Sequence, residues 1–290
     1  MTSQKLILGT VQLGLPYGIN NSQGMPDATE AFRILDTASE GSIQYLDTAA
    51  AYGTSEEVIG AYHQTSGKKT FSIITKFHCG GEQSTADKVH AAIAKLRVKH
   101  IDVMMFHSFR DYKENPKVLL DLVAQKEAGL IGKIGVSVYT NDEMEELLGE
   151  PHIEVVQSPF NMLDNTQQRE ESFKSLQAAG KLVHTRSAFL QGLFFKDLNT
   201  LPERLQPLRE DLFKLHQLQN EYQIPMHQMA LGYALAQPSI DGVLIGVDTA
   251  TQLESNLGSA GKELSPELLK TISTISVENV NLLNPSNWNS

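Results

Sequence analysis

Four side chains able to do acid-base chemistry stand just beyond three successive apolar runs of this 290-residue chain. One run continues as Tyr45-Leu46-Asp47-Thr48-Ala49 and then Ala51-Tyr52-Gly53; the next ends Ile74-Thr75-Lys76, and the one after it Met105-Phe106-His107. A carboxylate, a phenol, an ammonium and an imidazole held together form a coherent proton-transfer device. A free phenol has a pKa of about 10, too high to exchange protons readily at neutral pH. An ammonium such as Lys76 beside it favours the phenolate and lowers that pKa, while Asp47 pairs with the lysine and keeps it charged and placed. Tyr52 then reads as a general acid and His107 as a donor to a carbonyl oxygen next to it. Taken singly, each has an ordinary explanation: Asp47 capping a turn, Tyr52 packing on a helix, Lys76 solvated, His107 a satisfied buried histidine. The argument rests on the four together.

The elements that must position them follow a rhythm. Short runs rich in Ile, Val and Phe recur about every thirty residues, separated by longer stretches with helical spacing of apolar positions. Strands are expected at Lys5–Leu8, Ile43–Leu46, Phe71–Thr75, Ile101–Phe106, Lys133–Val138, Val155–Gln157, Leu182–Thr185 and Gly242–Ile245. The first helix carries Ala31, Ile34, Leu35 and Ala38 as its inner stripe and ends near Gly41; the one over Ala86–Leu96 carries Val89, Ala92, Ile93 and Leu96. Eight strands, each followed by a helix, in about 250 residues close as a (β/α)8 TIM barrel, whereas a doubly wound sheet needs fewer. The fold class is therefore α/β, with one domain over residues 1–290. Two segments exceed the minimum: an extra helical insertion around 201–222, and a C-terminal tail, 265–290, expected over the active-site mouth. In such a barrel the site lies at the carboxyl ends of the strands, where the four residues above fall.

Composition narrows the partners. The chain is 41% hydrophobic and 20% charged, with 24 basic against 34 acidic residues and a net charge of −10. An acidic surface repels phosphate backbones and anionic lipid, so nucleic acid and membranes are poor partners. No window approaches about 18 consecutive apolar residues. The start, Met1-Thr2-Ser3-Gln4-Lys5, lacks the apolar core of a secretory leader, and the single Cys79 cannot form an intrachain disulfide, which together point to a cytoplasmic location. Cys79 and His78 are isolated from other metal-ligand types, so no metal is expected. No coiled-coil heptads argue for an oligomer.

The stretch Leu46-Asp47-Thr48-Ala49-Ala50-Ala51-Tyr52-Gly53-Thr54-Ser55-Glu56, then Thr75-Lys76, Phe106-His107-Ser108 and Ile134-Gly135-Val136-Ser137, resembles the signatures of the aldo-keto reductase family, in order and over nearly the whole chain. The resemblance implies a (β/α)8 oxidoreductase, a monomer as members of the family often are, that reduces a small-molecule carbonyl substrate with a nicotinamide cofactor, NADP(H) or NAD(H), without a Rossmann fold. Asp47, Tyr52, Lys76 and His107 match the family's catalytic tetrad, with Tyr52 as the acid. Gly9-Thr10-Val11 is similar to the first-strand turn at the nicotinamide ribose, and Ser137 and Gln157 match the carboxamide-holding side chains, with Asp47 adjoining them. Asn161 follows in a stretch resembling the family's sixth-strand end. Arg186-Ser187-Ala188-Phe189-Leu190-Gln191-Gly192 looks like the loop around the pyrophosphate; Arg186, Ser187, Phe189, Gln191 and Gly192 are carried over as contacts. After the eighth strand, Ile245, Gly246, Asp248, Gln252 and Asn256 resemble the adenosine-binding segment, with Asn256 at the base-contacting position.

Four departures bear on detail. Val138 replaces an Asn common in the family, Arg186 replaces the tyrosine that stacks under the nicotinamide, Gln252 replaces the usual arginine, and Ser255 replaces a common glutamate. A 2′-phosphate wants basic residues where this chain has Asp248 and Gln252, so NAD use or weak NADPH preference is expected, the alternative being that Arg186, Lys262 or a mobile loop supplies the positive charge. The substrate pocket is expected from Tyr17, Tyr52, Phe77, His107, Phe109 and Phe160, with His78, Arg110 and the tail around Trp288 nearby. The opening Leu8–Ile19 is similar to a bacterial subset associated with sugar or surface-polysaccharide metabolism, which implies a sugar-like carbonyl compound. Two alternatives remain at this point. One is a cofactor-binding regulatory or redox-sensing subunit of the same fold with little turnover. The other is a barrel isomerase or lyase using Tyr52 for proton abstraction or Lys76 for a Schiff base, against which the neighbouring Asp47 argues.

Overall fold

The computed structural model describes residues 5–21, 24–65 and 67–288. Met1–Gln4, on which the absence of a leader was read, lie outside the described residues, as do Asn289 and Ser290 of the tail. The elements run β1 (Leu6–Gly9), α1 (Ala28–Glu40), β2 (Tyr45–Asp47), α2 (Ser55–Gln64), β3 (Ser72–Phe77), α3 (Thr85–Leu96), β4 (Ile101–Phe106), α4 (Phe109–Glu114), α5 (Pro116–Glu127), β5 (Ile131–Ser137), α6 (Asn141–Leu147), β6 (Val155–Pro159), α7 (Thr166–Ala178), β7 (Leu182–Arg186), α8 (Arg209–Tyr222), α9 (Met226–Leu235), β8 (Gly242–Gly246), α10 (Ala250–Ala260) and α11 (Pro266–Ser273). All eight strands are parallel, and β1 pairs with both β2 and β8 to close the barrel. Every expected strand is present within two residues at each end. Among the described residues no helix is long and apolar enough to cross a membrane.

Strand alternation divides the core in two. Ile7, Ile74, Val103, Met105, Val155 and Leu244, drawn from β1, β3, β4, β6 and β8, form a cluster of their own that fills the lumen. Their outward neighbours, such as Leu6, Leu8, Ile73 and Met104, join a larger shell with the helices, where Ala31, Ile34, Leu35 and Ala38 of α1 are all buried as the 3.6-residue spacing requires. Helix starts are fixed by local chemistry: Asp27 accepts the Glu30 N–H of α1, and Ser84 and Thr140 form capping boxes on α3 and α6. The 201–222 region forms a short 3-10 segment, Glu203–Leu208, followed by α8. In the tail, α11 is followed by two 3-10 turns ending at Trp288.

His184 of β7 is the unusual lumen residue. It flanks Gly242 together with Ile7, where a Cβ on the glycine would come within 2.8 Å of the imidazole, and its Nδ1 has no hydrogen-bond partner among the described residues. Burial, with Lys76 and Lys133 adding positive charge, pushes its pKa down to about 4. The unfolded chain, with an ordinary imidazole pKa of about 6.5, therefore binds the extra proton first, and this contribution to stability is lost as pH falls from about 6.5 toward 4. Urea unfolding at stepped pH should show His184 costing about 3 kcal/mol by pH 4, and His184→Gln should flatten that part of the profile. Identical pH dependence in both proteins would remove His184 as the cause.

Candidate active site

Asp47, Lys76 and Gln157 come from the carboxyl ends of β2, β3 and β6 and meet across the top of the lumen. The Lys76 ammonium bonds Asp47 Oδ1 directly and the Thr48 carbonyl at 3.3 Å, while Gln157 Nε2 donates to Asp47 Oδ2 at 2.9 Å. Asp47 and Lys76 are each only 2% exposed. Burial works against the charge on Lys76, but the Asp47 carboxylate, with Tyr52 adding to it, outweighs that and raises the lysine pKa above its ordinary value. The lysine is thus a fixed cation.

Tyr52 lies beside it, with the Lys76 nitrogen 5.4 Å from the phenol ring centroid. The loop that bears the tyrosine is pinned from both sides. Thr48 and Ala50 N–H groups bond the Ile74 and Lys76 carbonyls at 2.8 Å, and Ser55 Oγ donates to the Thr10 carbonyl at 2.9 Å. Gly53 takes a left-handed φ of 54°, and Gly14 packs so closely that an added Cβ would stand 1.9 Å from the Tyr52 carbonyl oxygen. Only glycine permits that approach, and the approach fixes the tyrosine backbone.

His107, at the end of β4, meets the Tyr52 ring edge to face at 5.9 Å and stacks on His78 at 4.3 Å. His78 is held by Asp111 Oδ2 at 2.9 Å, so a carboxylate one residue further out orients the stack. Burial first, then the charge of Lys76 and the neighbouring His78, pushes the His107 pKa down to about 3. The imidazole is therefore neutral at physiological pH. Its Nδ1 is a buried atom without a partner among the described residues.

These four residues line a cavity of about 640 Å³, within the range of small-molecule and cofactor sites. The other expected cofactor contacts line it too: Gly9, Thr10, Val11, Ser137, Gln157, Arg186, Ser187, Phe189, Gln191, Gly192, Ile245, Gly246, Asp248, Gln252 and Asn256. Gln157 Oε1 is a buried acceptor with no partner among the described residues. Gly246 leaves the room its neighbours need, since a Cβ there would stand 2.6 Å from the Gln12 amide. The β1 loop and the β7 loop join over the cavity through Ile19 N–H to the Gln191 carbonyl at 3.0 Å, Asn20 Nδ2 to the Gly192 carbonyl at 2.6 Å, and Gln191 Nε2 to the Tyr17 hydroxyl at 2.7 Å.

Of the expected substrate residues, Tyr17 lines the cavity but Phe77, Phe109 and Phe160 do not. The correction follows from strand alternation. Lys76 faces the lumen, so Phe77 faces the helical shell, where its ring lies 5.5 Å from Phe106. Likewise Gln157 faces in, and Phe160, three residues on, stacks outside the barrel on Tyr233 at 5.5 Å. Phe109 belongs to α4 and packs on Tyr112. Val138 is buried in the shell, Asn161 uses its Oδ1 to order the turn after β6, and Arg110 is an exposed partner of Glu114. Trp288 lines an adjoining cavity with Tyr17 and Arg186. Sequence reading missed Tyr139, Gln12, Asn20, Asn21, Phe195 and His227, which also line the first cavity. Tyr139 could have been found, because it stands two residues past the end of β5; Gln12, Asn20, Asn21 and Phe195 sit in the β1 and β7 connections whose folding the periodicity does not specify, and His227 stands in the first turn of α9.

The family model described as the aldo/keto reductase family matches residues 5–277. Among curated relatives, the oxidoreductase YqkF of Bacillus subtilis is 23% identical over 93% of this chain and 95% of its own length, and the aldo-keto reductase YhdN of the same organism is 25% identical over 94% and 90%. The solved holo form of an aldo-keto reductase from Bacillus halodurans superposes with a TM-score of 0.74 at 24% identity, covering 95% of this chain and 94% of that one.

Because the Asp47–Lys76 pair is buried, removing one partner strands a charge. Asp47→Asn should destabilise the protein by about 3–5 kcal/mol, and adding Lys76→Met should recover part of that loss. Denaturant unfolding of the two single and the double variant measures it; strictly additive losses would mean the pair is not coupled.

Proposed function

Since the chain belongs to the aldo/keto reductase family, we propose that it reduces an aldehyde or ketone to an alcohol with NADH or NADPH, the proton coming from Tyr52. The observation that supports this most is the buried, charged Lys76 held by Asp47 against the Tyr52 ring, beside a neutral His107, at the floor of a dinucleotide-sized cavity. The residues fit a nicotinamide cofactor. Ser137 and the unpartnered Gln157 Oε1 suit a carboxamide, the 187–192 loop suits a pyrophosphate, and Gln252 and Asn256 suit the adenosine end. When bound, the reduced nicotinamide supplies a hydride to the carbonyl carbon. His107, being neutral, donates a ring N–H to the carbonyl oxygen and orients it. Tyr52 gives its hydroxyl proton to that oxygen as negative charge develops there. Lys76 stabilises the phenolate that remains, and Asp47 keeps the ammonium in place. The carbonyl would thus gain one hydride and one proton, the two electrons coming with the hydride. Tyr17, Tyr139 and Gln191 at the mouth suit a polar, sugar-like carbonyl compound.

The electrostatics of the far end favour NADH. Asp248 lines the cavity with Gln252, and no lysine or arginine lines that end among the described residues. Burial raises the Asp248 pKa, and Asn21 Nδ2 donates to its Oδ1 at 3.3 Å. The N-terminus of α10, otherwise attractive to a phosphate, already gives its Ala250 N–H to the Glu30 carboxylate at 2.8 Å. A ribose 2′-hydroxyl can donate to Asp248, whereas a 2′-phosphate meets a carboxylate.

Two measurements test these readings. Tyr52→Phe should lower kcat by about 10²-fold or more with cofactor binding little changed, and a near-normal kcat would refute the acid role. Fluorescence titration should give NADH a dissociation constant no weaker than that of NADPH; an NADPH preference of about a hundredfold would sink the cofactor reading.

A further inference from the structure

The first cavity adjoins a second of about 620 Å³, which shares Tyr17, Tyr139, Arg186 and Gln191 with it and is lined also by Arg204 and Trp288. Because the lining is shared, this vestibule offers room for the rest of a substrate whose carbonyl reaches Tyr52 and His107. Its charges are one-sided. The chain has 34 acidic against 24 basic residues, yet among the described residues the vestibule is lined by two arginines and by no aspartate or glutamate.

Arg186 is the better defined of the two. It is half-buried, its Nη2 donates to the Val138 carbonyl at 3.0 Å, and its guanidinium carbon lies 4.2 Å from the Tyr139 ring centroid. Among the described residues it has no carboxylate partner, although a guanidinium carries five donors in a fork matched to planar or tetrahedral anions. The shelf beneath it is rigid. Tyr139 N–H bonds Glu143 at 2.6 Å, and the Tyr139 carbonyl accepts from Arg169 Nη2 at 2.9 Å, with Arg169 itself forked onto buried Asp164. Arg169 thus already has its anion, and Arg186 is set out toward the cavity. Arg204 stands at the outer rim, with its Nη1 3.5 Å from the Asn287 carbonyl.

We propose that the vestibule recognises an anionic substituent, a carboxylate or a phosphate, on the carbonyl substrate, with Arg186 on the inner wall and Arg204 at the rim. The assignment of that anion to a substrate rests on the reductase reading above; the anion site itself does not. A polar cavity whose described lining holds the half-buried Arg186 on its shelf, an exposed Arg204 at the rim and no carboxylate concentrates small anions, and Arg186 orients them by paired N–H donors, which point charges on flexible stems do less well.

Trp288 is the chain's single tryptophan, so its fluorescence reports on the vestibule without any turnover. Titration with succinate and with glycerol 3-phosphate should give a saturable change that glycerol does not give, and the stronger of the two anions identifies carboxylate or phosphate as the group recognised. Arg186→Gln should weaken that anion by about tenfold or more, and Arg204→Gln, at the exposed rim, by less. In the turnover arm, succinic semialdehyde should exceed butanal in kcat/KM by about tenfold at low salt, the ratio shrinking as ionic strength rises. The same tryptophan response to glycerol and to the anions, or a kcat/KM ratio near one at low salt, overturns the proposal. Saturable anion binding with neither aldehyde reduced in the presence of bound cofactor leaves the anion site standing and removes the reductase reading instead.

Discussion

The structure turns on an ion pair taken out of water. Burying a lysine and an aspartate costs several kcal/mol per ion, and the cost is offset only where the remaining hydrogen-bonding capacity of each is satisfied. Here β2, β3 and β6 each contribute one member of the solution: Asp47, Lys76, and Gln157, which takes the second carboxylate oxygen from across the lumen. Three strands that are not all neighbours in the sheet must therefore keep their register for the pair to exist, which ties the site to closure of the barrel rather than to any one loop. A flexible loop could not hold a desolvated ammonium at a fixed place beside a phenol.

The lumen is graded to suit this. Its lower part is a dry plug of Ile, Val, Met and Leu side chains. One imidazole, His184, is set beside Ile7 and Gly242 within it, and the polar layer lies at the carboxyl ends of the strands. Small residues at lumen positions, Gly9 and Gly246 among them, remove side chains where a ligand must pass. Low polarity beneath strengthens every charge interaction above, so the same plug that stabilises the barrel also keeps the His107 imidazole neutral and the Lys76 charge local. Stability and chemistry draw on one gradient.

Much of this was legible in the sequence. Runs such as Ile101-Asp-Val-Met-Met-Phe106 carry strand propensity strong enough to place all eight strands, and the helix stripes are regular. The tetrad was legible because it sits immediately past those runs. The failures at Phe77 and Phe160 are failures of parity. Along a strand the face alternates with every residue, and a list of apolar residues near strand ends does not carry the face. The information was nonetheless present, since an inward Lys76 forces an outward Phe77. What could not be read is the loop architecture: the join between Ile19 and Gln191 bridges chain segments more than 170 residues apart, and no local pattern encodes it.

The same distinction between local and global applies to charge. A net charge of −10 describes the field far from the molecule, but counter-ions screen exposed charges over about 8 Å at physiological ionic strength. Inside a cavity the field is set by the few groups on its walls, which are partly shielded from that screening. The two ends of this site accordingly differ: Asp248 stands at the end built by the β8 loop, and Arg186 with Arg204 at the end built by the β5, β7 and tail segments. Composition alone argues against anionic partners that must lie along the surface. It says nothing about a small anion that has left the surface behind, because the groups such an ion meets are selected by the loops and not by the average.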